Sequence, residues 1–390
     1  MKILFIHNNY AQPSGEEHAA EGLAKLLELN GHQVKWYRRT TEGVQWTVAN
    51  KINAFVSGFH NMSSVRQVKH LLNEFNPDIV QVQNLYPFIS PSILKVIKSH
   101  NTPVVMRCPN YRLFCPNGLF LDRKGNVCEK CTGKLKESWC VWKNCEGNIG
   151  KSMGYGLRNM WARLSGSIFN YVDAYIVQSS FQKEKFFELG IPSNKLHVVP
   201  GLTPSVITKS PEIIGEHVAF VGRVSIEKGI VEFTEAARLL PDIPFVVAGR
   251  ISPSVTQLVK HSPANIEWKG FLSGAELDQV FRNSRIIVAP SKWYEGFPNV
   301  ITRAMLHRKP VITSNLGAMA SIINHNKNGY LIEPGSITQL AKSISSLFND
   351  PDKCIQFGLN GQKKAEAEYS AQAIYERLMN IYTQLINQIV

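Results

Sequence analysis

The sequence predicts an α/β protein built from two doubly wound parallel sheets. Three observations carry this expectation. Short β-branched runs alternate with amphipathic stretches over residues 2–107, and the same alternation resumes over 218–349. That order builds parallel sheets with helices on both faces. Between the two series, residues 200–211 hold three prolines with Gly, Ser and Thr, which reads as an interdomain linker. The chain is 390 residues long and 44% hydrophobic, enough for two or three full-sized cores.

In order, residues 2–8 form a strand, 9–15 a loop and 16–30 a helix with Ala19, Leu23, Leu26 and Leu27 on one face. Gly31-His32 stops it before a strand at 33–37. Residues 41–76 read as helical and amphipathic. A buried strand at 78–82, a helix at 90–99 with Pro91 in its first turn, and a strand at 103–107 follow. Later come a strand at 170–177, a helix through Leu189 and a strand at 195–199. The second series has strands at 218–221, 244–249, 266–268, 285–289, 311–314 and 330–332. Its helices fall at 230–240, 273–284, 299–307, 318–325 and 336–349. Residues 351–390 are helical throughout and outlast the sheet, so they are expected to cross back onto the first domain. The expected domains are 1–204, 205–350 and these terminal helices.

Residues 108–150 break the pattern. Six of the seven cysteines lie there: Cys108, Cys115, Cys128, Cys131, Cys140 and Cys145. The Cys128-x-x-Cys131 pair, with Cys115 and Cys145 on either side, suggests a structural zinc held by four thiolates. The alternative is a set of free thiols in an ordinary insertion.

Net charge is +13 and uneven: residues 1–200 carry 24 Lys+Arg against 14 Asp+Glu, and 95–163 carry 13 against 4. Such a field attracts anionic lipid, nucleic acid or phosphorylated substrates. No nucleic-acid module accompanies it, and none is expected as partner. No apolar run approaches the ~20 residues that span a bilayer. The N-terminal stretch reads as a strand, not a signal peptide. The expected location is the cytoplasm, with peripheral attachment to the inner face of a membrane as a further option.

The stretch Ala289 to Asn299 leads from a buried strand through a loop with one carboxylate, Glu295, into a helix start. This is how an α/β protein presents backbone N–H groups to a phosphorylated ligand. Arg223 and Lys228 follow the first strand of the second series, Arg as a fork and Lys as a point charge for a diphosphate. Glu295 beside them can bind hydroxyls. Stabilising a departing diphosphate is what sugar transfer from a nucleotide-sugar requires. There is no GxGxxG run, so no nicotinamide or flavin is expected.

Gly222-Arg223 with Glu227-Lys228-Gly229, then Pro290-Ser291 and Glu295-Gly296-Phe297-Pro298-Asn299, resembles the retaining GT-B glycosyltransferases of family 4. Ser14-Gly15-Glu16-Glu17 resembles the family's Gly-Gly-Glu loop. Cys115-Pro116-Asn117-Gly118 with Cys128-x-x-Cys131 is similar to a subgroup with a cysteine-rich loop. The resemblance implies two Rossmann-like domains facing across a cleft, the first for the acceptor and the second for a nucleotide-activated sugar. It also implies a metal-independent, configuration-retaining transfer with no catalytic cofactor. Arg223, Lys228 and Glu295 would be catalytic; Gly15, Gly222, Gly296, Phe297, Pro298, Asn299 and Arg303 would line the donor site. The implied acceptor is a glycan or polyprenyl-linked glycan of surface-polysaccharide or glycolipid assembly.

Three departures from the family pattern stand out. Arg303 occupies the position of a second Glu, eight residues after the first, and a guanidinium cannot accept the ribose hydrogen bonds. It is expected instead at the mouth of the donor pocket, meeting a phosphate or bracing Glu295. Pro109 replaces a His at the end of the 103–107 strand, and Gln81 and Gln83 stand where the subgroup carries His. A non-catalytic GT-B subunit that binds a glycan or partner enzyme is the alternative reading, and a nucleotide-sugar epimerase a third.

Overall fold

The computed structural model describes residues 1–9, 15–45, 47–203 and 214–388. Most of the expected loop at 9–15 and of the expected linker at 200–211 lies outside them. The chain divides into two compact units. Unit 1 takes residues 1–123, 128–202 and 374–390; unit 2 takes 124–127 and 203–373.

Unit 1 runs β1 Lys2–Asn9, α1 Gly15–Leu29, β2 Gln33–Thr40, α2 Val48–Phe59, α3 Met62–Phe75, β3 Ile79–Asn84, α4 Ser92–Ser99 and β4 Val104–Arg107. It continues with α5 Ser138–Trp142, α6 Ile149–Leu164, β5 Ala174–Val177, α7 Ser180–Glu188 and β6 Leu196–Val198. Six parallel strands lie in the order β2-β1-β3-β4-β5-β6. All six residues of β3 and all four of β4 are buried, as expected of central parallel strands covered on both faces, although Gln81, Gln83, Asn84 and Arg107 are among them.

Unit 2 runs β7 His217–Val221, α8 Ile230–Leu239, β8 Phe245–Ala248, α9 Thr256–Lys260, β9 Ile266–Gly270, α10 Gly274–Asn283 and β10 Ser284–Ala289. It ends with α11 Asn299–Leu306, β11 Val311–Ser314, α12 Ala318–Ile322, β12 Gly329–Ile332, α13 Ile337–Phe348 and α14 Pro351–Tyr369. Its parallel order is β12-β11-β10-β7-β8-β9. The strands after β7 wind outward one way, and from β10 they wind the other way. The β7/β10 pair is therefore the switch point, where open α/β sheets bind ligands at their carboxyl edge. The last helix, α15 Ala371–Asn387, puts Ile374, Leu378, Ile381 and Tyr382 into the core of unit 1 beside Ile3, Phe5 and Ile176.

The two doubly wound sheets match the fold expected from the alternation of elements, and several boundaries move. The expected continuous helix at 41–76 is two helices. The Thr47 side chain caps the start of α2, and the chain extends at His60 before the Asn61 side chain caps α3. A polar residue that accepts from the first-turn amides restarts a helix where hydrophobic period alone sees no break. The strand at 170–177 begins only at Ala174, because 167–171 form turns. The helix expected at 318–325 ends at Ile322, and the terminal helical run breaks at Ser370. Helix α6 was not anticipated; three glycines and a serine in its sequence mask its period.

Candidate active site

Two loops leave the switch point of unit 2 side by side. The loop after β7 carries Gly222, Arg223 and Lys228; the loop after β10 carries Ser291, Trp293 and Glu295. They touch through their backbones. A Cβ on Gly229 would lie 2.1 Å from the Pro290 carbonyl oxygen, and Gly229 holds φ +81°, so glycine is required twice over. Gly249, at the end of β8, approaches equally closely: a Cβ there would meet the Gly222 carbonyl oxygen at 1.7 Å.

This contact brings two predicted residues together. Lys228 Nζ lies 2.5 Å from Glu295 Oε1. The same oxygen accepts from Ser291 Oγ at 2.7 Å and from Trp293 Nε1 at 3.1 Å. Glu295 is 6% exposed, and burying a carboxylate is tolerable only with such partners. Lys228 also sits 5.5 Å from the centroid of the Trp293 ring. Arg223 is more open. Its guanidinium donates to Glu227 Oε1 at 2.5 Å, which also accepts from Ser225 Oγ at 2.7 Å. Lys292 contributes a further pair, Nζ to Glu232 Oε1 at 2.8 Å, and its amide donates to the Glu227 carbonyl. The edge thus holds three cations, each on a carboxylate of the same unit.

Two family models match the chain: "Glycosyl transferase 4-like domain" over residues 14–201 and "Glycosyl transferases group 1" over residues 214–364. The chain belongs to the family-4-type GT-B glycosyltransferases. It is 25% identical over 339 residues to a 42.6 kDa protein of the cps region of Klebsiella pneumoniae, covering 85% of this chain and 80% of that one. It is 27% identical over 192 residues to a capsular polysaccharide biosynthesis glycosyltransferase of Staphylococcus aureus, covering 44% of this chain and 47% of that one. For that relative the chain spans about half its length. An Anabaena protein, HepE, solved with UDP and glucose, shares the fold at TM-score 0.67 and 16% identity, with 98% of this chain and all of that one covered.

Of the other residues expected in the glycosyltransferase site, Gly296 and Asn299 lie in the β10–α11 loop and at the first turn of α11, and Pro298 immediately precedes that helix without a capping hydrogen bond. Phe297 faces inward, with its ring edge-on to Tyr369 at 5.5 Å. Gly15 opens α1 in unit 1 with open space around its Cβ position; its neighbour Ser14 lies outside the described residues.

Arg303 is placed differently from the expectation. Helix α11 starts at Asn299, so Glu295 lies off the helix and the two residues do not share its face. Arg303 donates instead to Asp278 Oδ1 of α10 at 2.8 Å. His307 reaches the same oxygen at 3.0 Å and stacks on Phe281 at 5.3 Å. The bracing of Glu295 falls to Lys228, Ser291 and Trp293. Burial pushes the Asp278 carboxyl up, but the hydrogen bonds and charges of Arg303 and His307 outweigh it and hold it below its usual range. This is a brace between α10 and α11.

The cysteines of the insertion sort into pairs. Cys131 pairs with Cys115 and Cys140 with Cys145 through thiol–thiol hydrogen bonds. The four-thiol set expected from spacing included Cys128, which belongs to neither pair, and omitted Cys140. Among the described residues no three His, Cys, Asp or Glu side chains are disposed to hold a metal ion. What a Cys-x-x-Cys count could not show is that the partner of Cys145 is Cys140, one turn away on α5.

Because Arg303 braces α10, Arg303→Glu should set two carboxylates against each other and cost unit 2 on the order of 1–3 kcal/mol. A thermal melt checks this, while titration with nucleoside diphosphates should show affinity within about twofold of the parent. A large change in nucleotide affinity at unchanged melting temperature would return Arg303 to the donor pocket.

Proposed function

We propose that the protein is a retaining, metal-independent glycosyltransferase. It moves a hexosyl unit from a nucleotide-sugar to a glycan or lipid-linked glycan in surface-polysaccharide or glycolipid assembly. The observation that carries this reading is the Lys228–Glu295 pair at the switch point, with Arg223 on the adjoining loop. In the ligand-free protein each cation rests on a carboxylate. A donor diphosphate competes for Arg223 and Lys228, and Glu295, still held by Ser291 and Trp293, is left to accept from sugar hydroxyls. As the bond from the anomeric carbon to the diphosphate oxygen breaks, the two cations offset the charge that accumulates on the leaving group. They supply the charge that a divalent metal supplies elsewhere. The departing phosphate oxygen takes the proton of the acceptor hydroxyl, and attack on the face that the diphosphate leaves retains configuration. Unit 1 would hold the acceptor. The UDP and glucose bound by HepE and the capsular role of the Staphylococcus aureus relative support the donor and acceptor classes.

A second reading, a glycan-binding subunit without turnover, is favoured by Pro109 in place of the family's His. Incubation with a panel of nucleotide-sugars and lipid-linked or free glycans, with the product's anomeric configuration read by NMR, separates the two. An α product from an α donor is expected, and no product from any pair would support the second reading.

The acceptor's membrane setting is part of the same proposal. Helices α2 and α6 carry no acidic residue and expose Ile52, Phe55 and Val56 on one and Met153, Trp161 and Leu164 on the other. Phe59 of α2 meets Trp161 of α6 edge-on at 6.2 Å. Apolar and aromatic side chains in a basic surround suit an anionic headgroup layer. Among the described residues no helix is long and apolar enough to cross a membrane. A structural zinc in the insertion is also proposed; it would have to draw the two thiol pairs together, with Cys140 in place of Cys128.

Arg223→Ala and Lys228→Ala should each lower turnover by roughly 10²–10³-fold, the cost of one transition-state donor, with unchanged circular dichroism. Parent-level turnover in either would remove that residue from the clamp. The protein should partition onto phosphatidylglycerol vesicles at low salt and leave them as salt shortens the Debye length; equal partitioning onto neutral vesicles would defeat the membrane reading. Elemental analysis should find about one zinc per chain, and a metal-free, fully active preparation would remove the zinc.

A further inference from the structure

A pocket with a largely apolar wall and a few polar groups lies wholly within unit 1, at the carboxyl ends of β3 and β4. Its lining includes Glu16, Gln83, Arg107, Asn110 and Arg112, and its volume is about 60 Å³. That is room for a compact polar group, a few water molecules' worth. Parallel pairing sets Gln81 opposite Val105, so Gln83 and Arg107 follow as neighbours on one face of the sheet.

Arg107 is the unusual member. It is 5% exposed, and among the described residues no hydrogen bond or ion pair holds its guanidinium. Burial pulls it down to about 10 despite the nearby Glu16. A buried guanidinium is costly unless it is paired and hydrogen-bonded. Gln83, 7% exposed, likewise leaves its amide nitrogen without a partner. Glu16 is engaged on one side only: Oε1 accepts from Asn110 Nδ2 at 2.6 Å, while Oε2 has no partner. Asn110 in turn accepts from the Arg112 backbone amide at 3.0 Å, which fixes the rim. The pocket therefore holds donors on Arg107 and Gln83 that no acceptor meets, with the one unpaired carboxylate oxygen of Glu16 also left unbonded.

We infer that this pocket binds a carboxylate carried by the acceptor, that of a hexuronic acid or similar acidic sugar, with Arg107 as its bidentate partner and Gln83 as a further donor. A planar fork fits a carboxylate in two parallel hydrogen bonds. The charge count favours a carboxylate over a phosphate. Arg107 and Arg112 against Glu16 leave one net positive charge, which a monoanion neutralises and a dianion overshoots. The inference rests on reading unit 1 as the acceptor half, but it is tested by binding alone.

The test is calorimetric or NMR titration of the full chain, without donor, using D-glucuronate, D-glucose and glucose 6-phosphate as probes. Glucuronate should bind at least about tenfold tighter than glucose and tighter than glucose 6-phosphate, and Arg107→Met should abolish the preference at an unchanged melting profile. Glu16→Gln, at a half-exposed position on the first turn of α1, removes the opposing charge and should tighten glucuronate binding several-fold; it keeps the test open if Arg107→Met does not fold. Equal binding of glucuronate and glucose, a preference for the phosphate, a preference that survives Arg107→Met, or no response to Glu16→Gln would each overturn the assignment. Because no turnover is read, a chain that binds glucuronate yet transfers no sugar would leave this inference standing and sink the proposed activity, and the reverse outcome would do the opposite.

Discussion

Unit 2 depends on a close approach of two backbones. Gly229 lies against the Pro290 carbonyl and Gly249 against that of Gly222, at separations where any side chain would collide. Lys228 is adjacent to the first contact, and Ser291 begins the loop on its other side. The approach therefore sets where the ammonium meets the carboxylate of Glu295. Side chains alone could not hold a lysine this firmly, since its four-carbon stem carries about 2 kcal/mol of rotamer entropy. The backbone contact and the Trp293 ring restrict the lysine, while the indole nitrogen of Trp293 and the Ser291 hydroxyl hold the Glu295 carboxylate that it meets. Preorganisation of this kind is what makes a fixed charge useful at a developing one.

The same constraint explains how charge is managed at that edge. Arg223, Lys228 and Lys292 each rest on a carboxylate from within unit 2: Glu227, Glu295 and Glu232. A site with three unpaired cations would repel itself and bind any anion. A site with three pairs must be paid for by exchange, so a ligand gains only the difference between its contacts and those it displaces. A diphosphate, with two charged groups and several acceptor oxygens, can make that exchange favourable where a single small anion cannot.

How much of this was legible in the sequence follows from the range of each interaction. The strands were readable because a fully buried parallel strand is a β-branched run, and Val311–Ser314 falls where its residues place it. That Gly222, Arg223, Lys228 and Glu295 sit on neighbouring loops at the β7/β10 edge is legible because each loop carries its residues locally. That Arg303 pairs with Asp278 and not with Glu295 is not legible, because Asp278 sits on a different helix and nothing near Arg303 in the chain announces it. Helix α11 also begins after Glu295, which removed the shared face on which the expectation rested. The split between α2 and α3 turned on one capping side chain, Asn61, inside a pattern that stayed apolar-periodic through it. Cysteine spacing located the insertion but not the pairing, since Cys140 and Cys145 meet through a short helix that the spacing does not encode. Arg107 carried no signal at all: at the end of a strand, a lone arginine looks like a solvated terminus until burial shows otherwise.

That last point separates the two units in physical terms. At the β7/β10 edge of unit 2 Arg223, Lys228 and Lys292 are balanced by carboxylates of the same unit, so affinity there rests on exchange, and exposed members such as Arg223 are open to screening by salt. In unit 1 the buried guanidinium of Arg107 feels Glu16, and more weakly Tyr382 and Cys108, without a hydrogen bond or ion pair to any of them among the described residues. A low-dielectric pocket strengthens an interaction that completes such a pair and is screened little by bulk salt. The cost of leaving Arg107 unpaired is carried by the fold in the ligand-free state. An acidic sugar that supplies the missing oxygens recovers that cost, whereas a neutral sugar of the same size does not. Discrimination by an unmet buried donor exceeds what shape alone achieves, which makes this pocket, more than the donor edge, the place where the chain would tell one glycan from another.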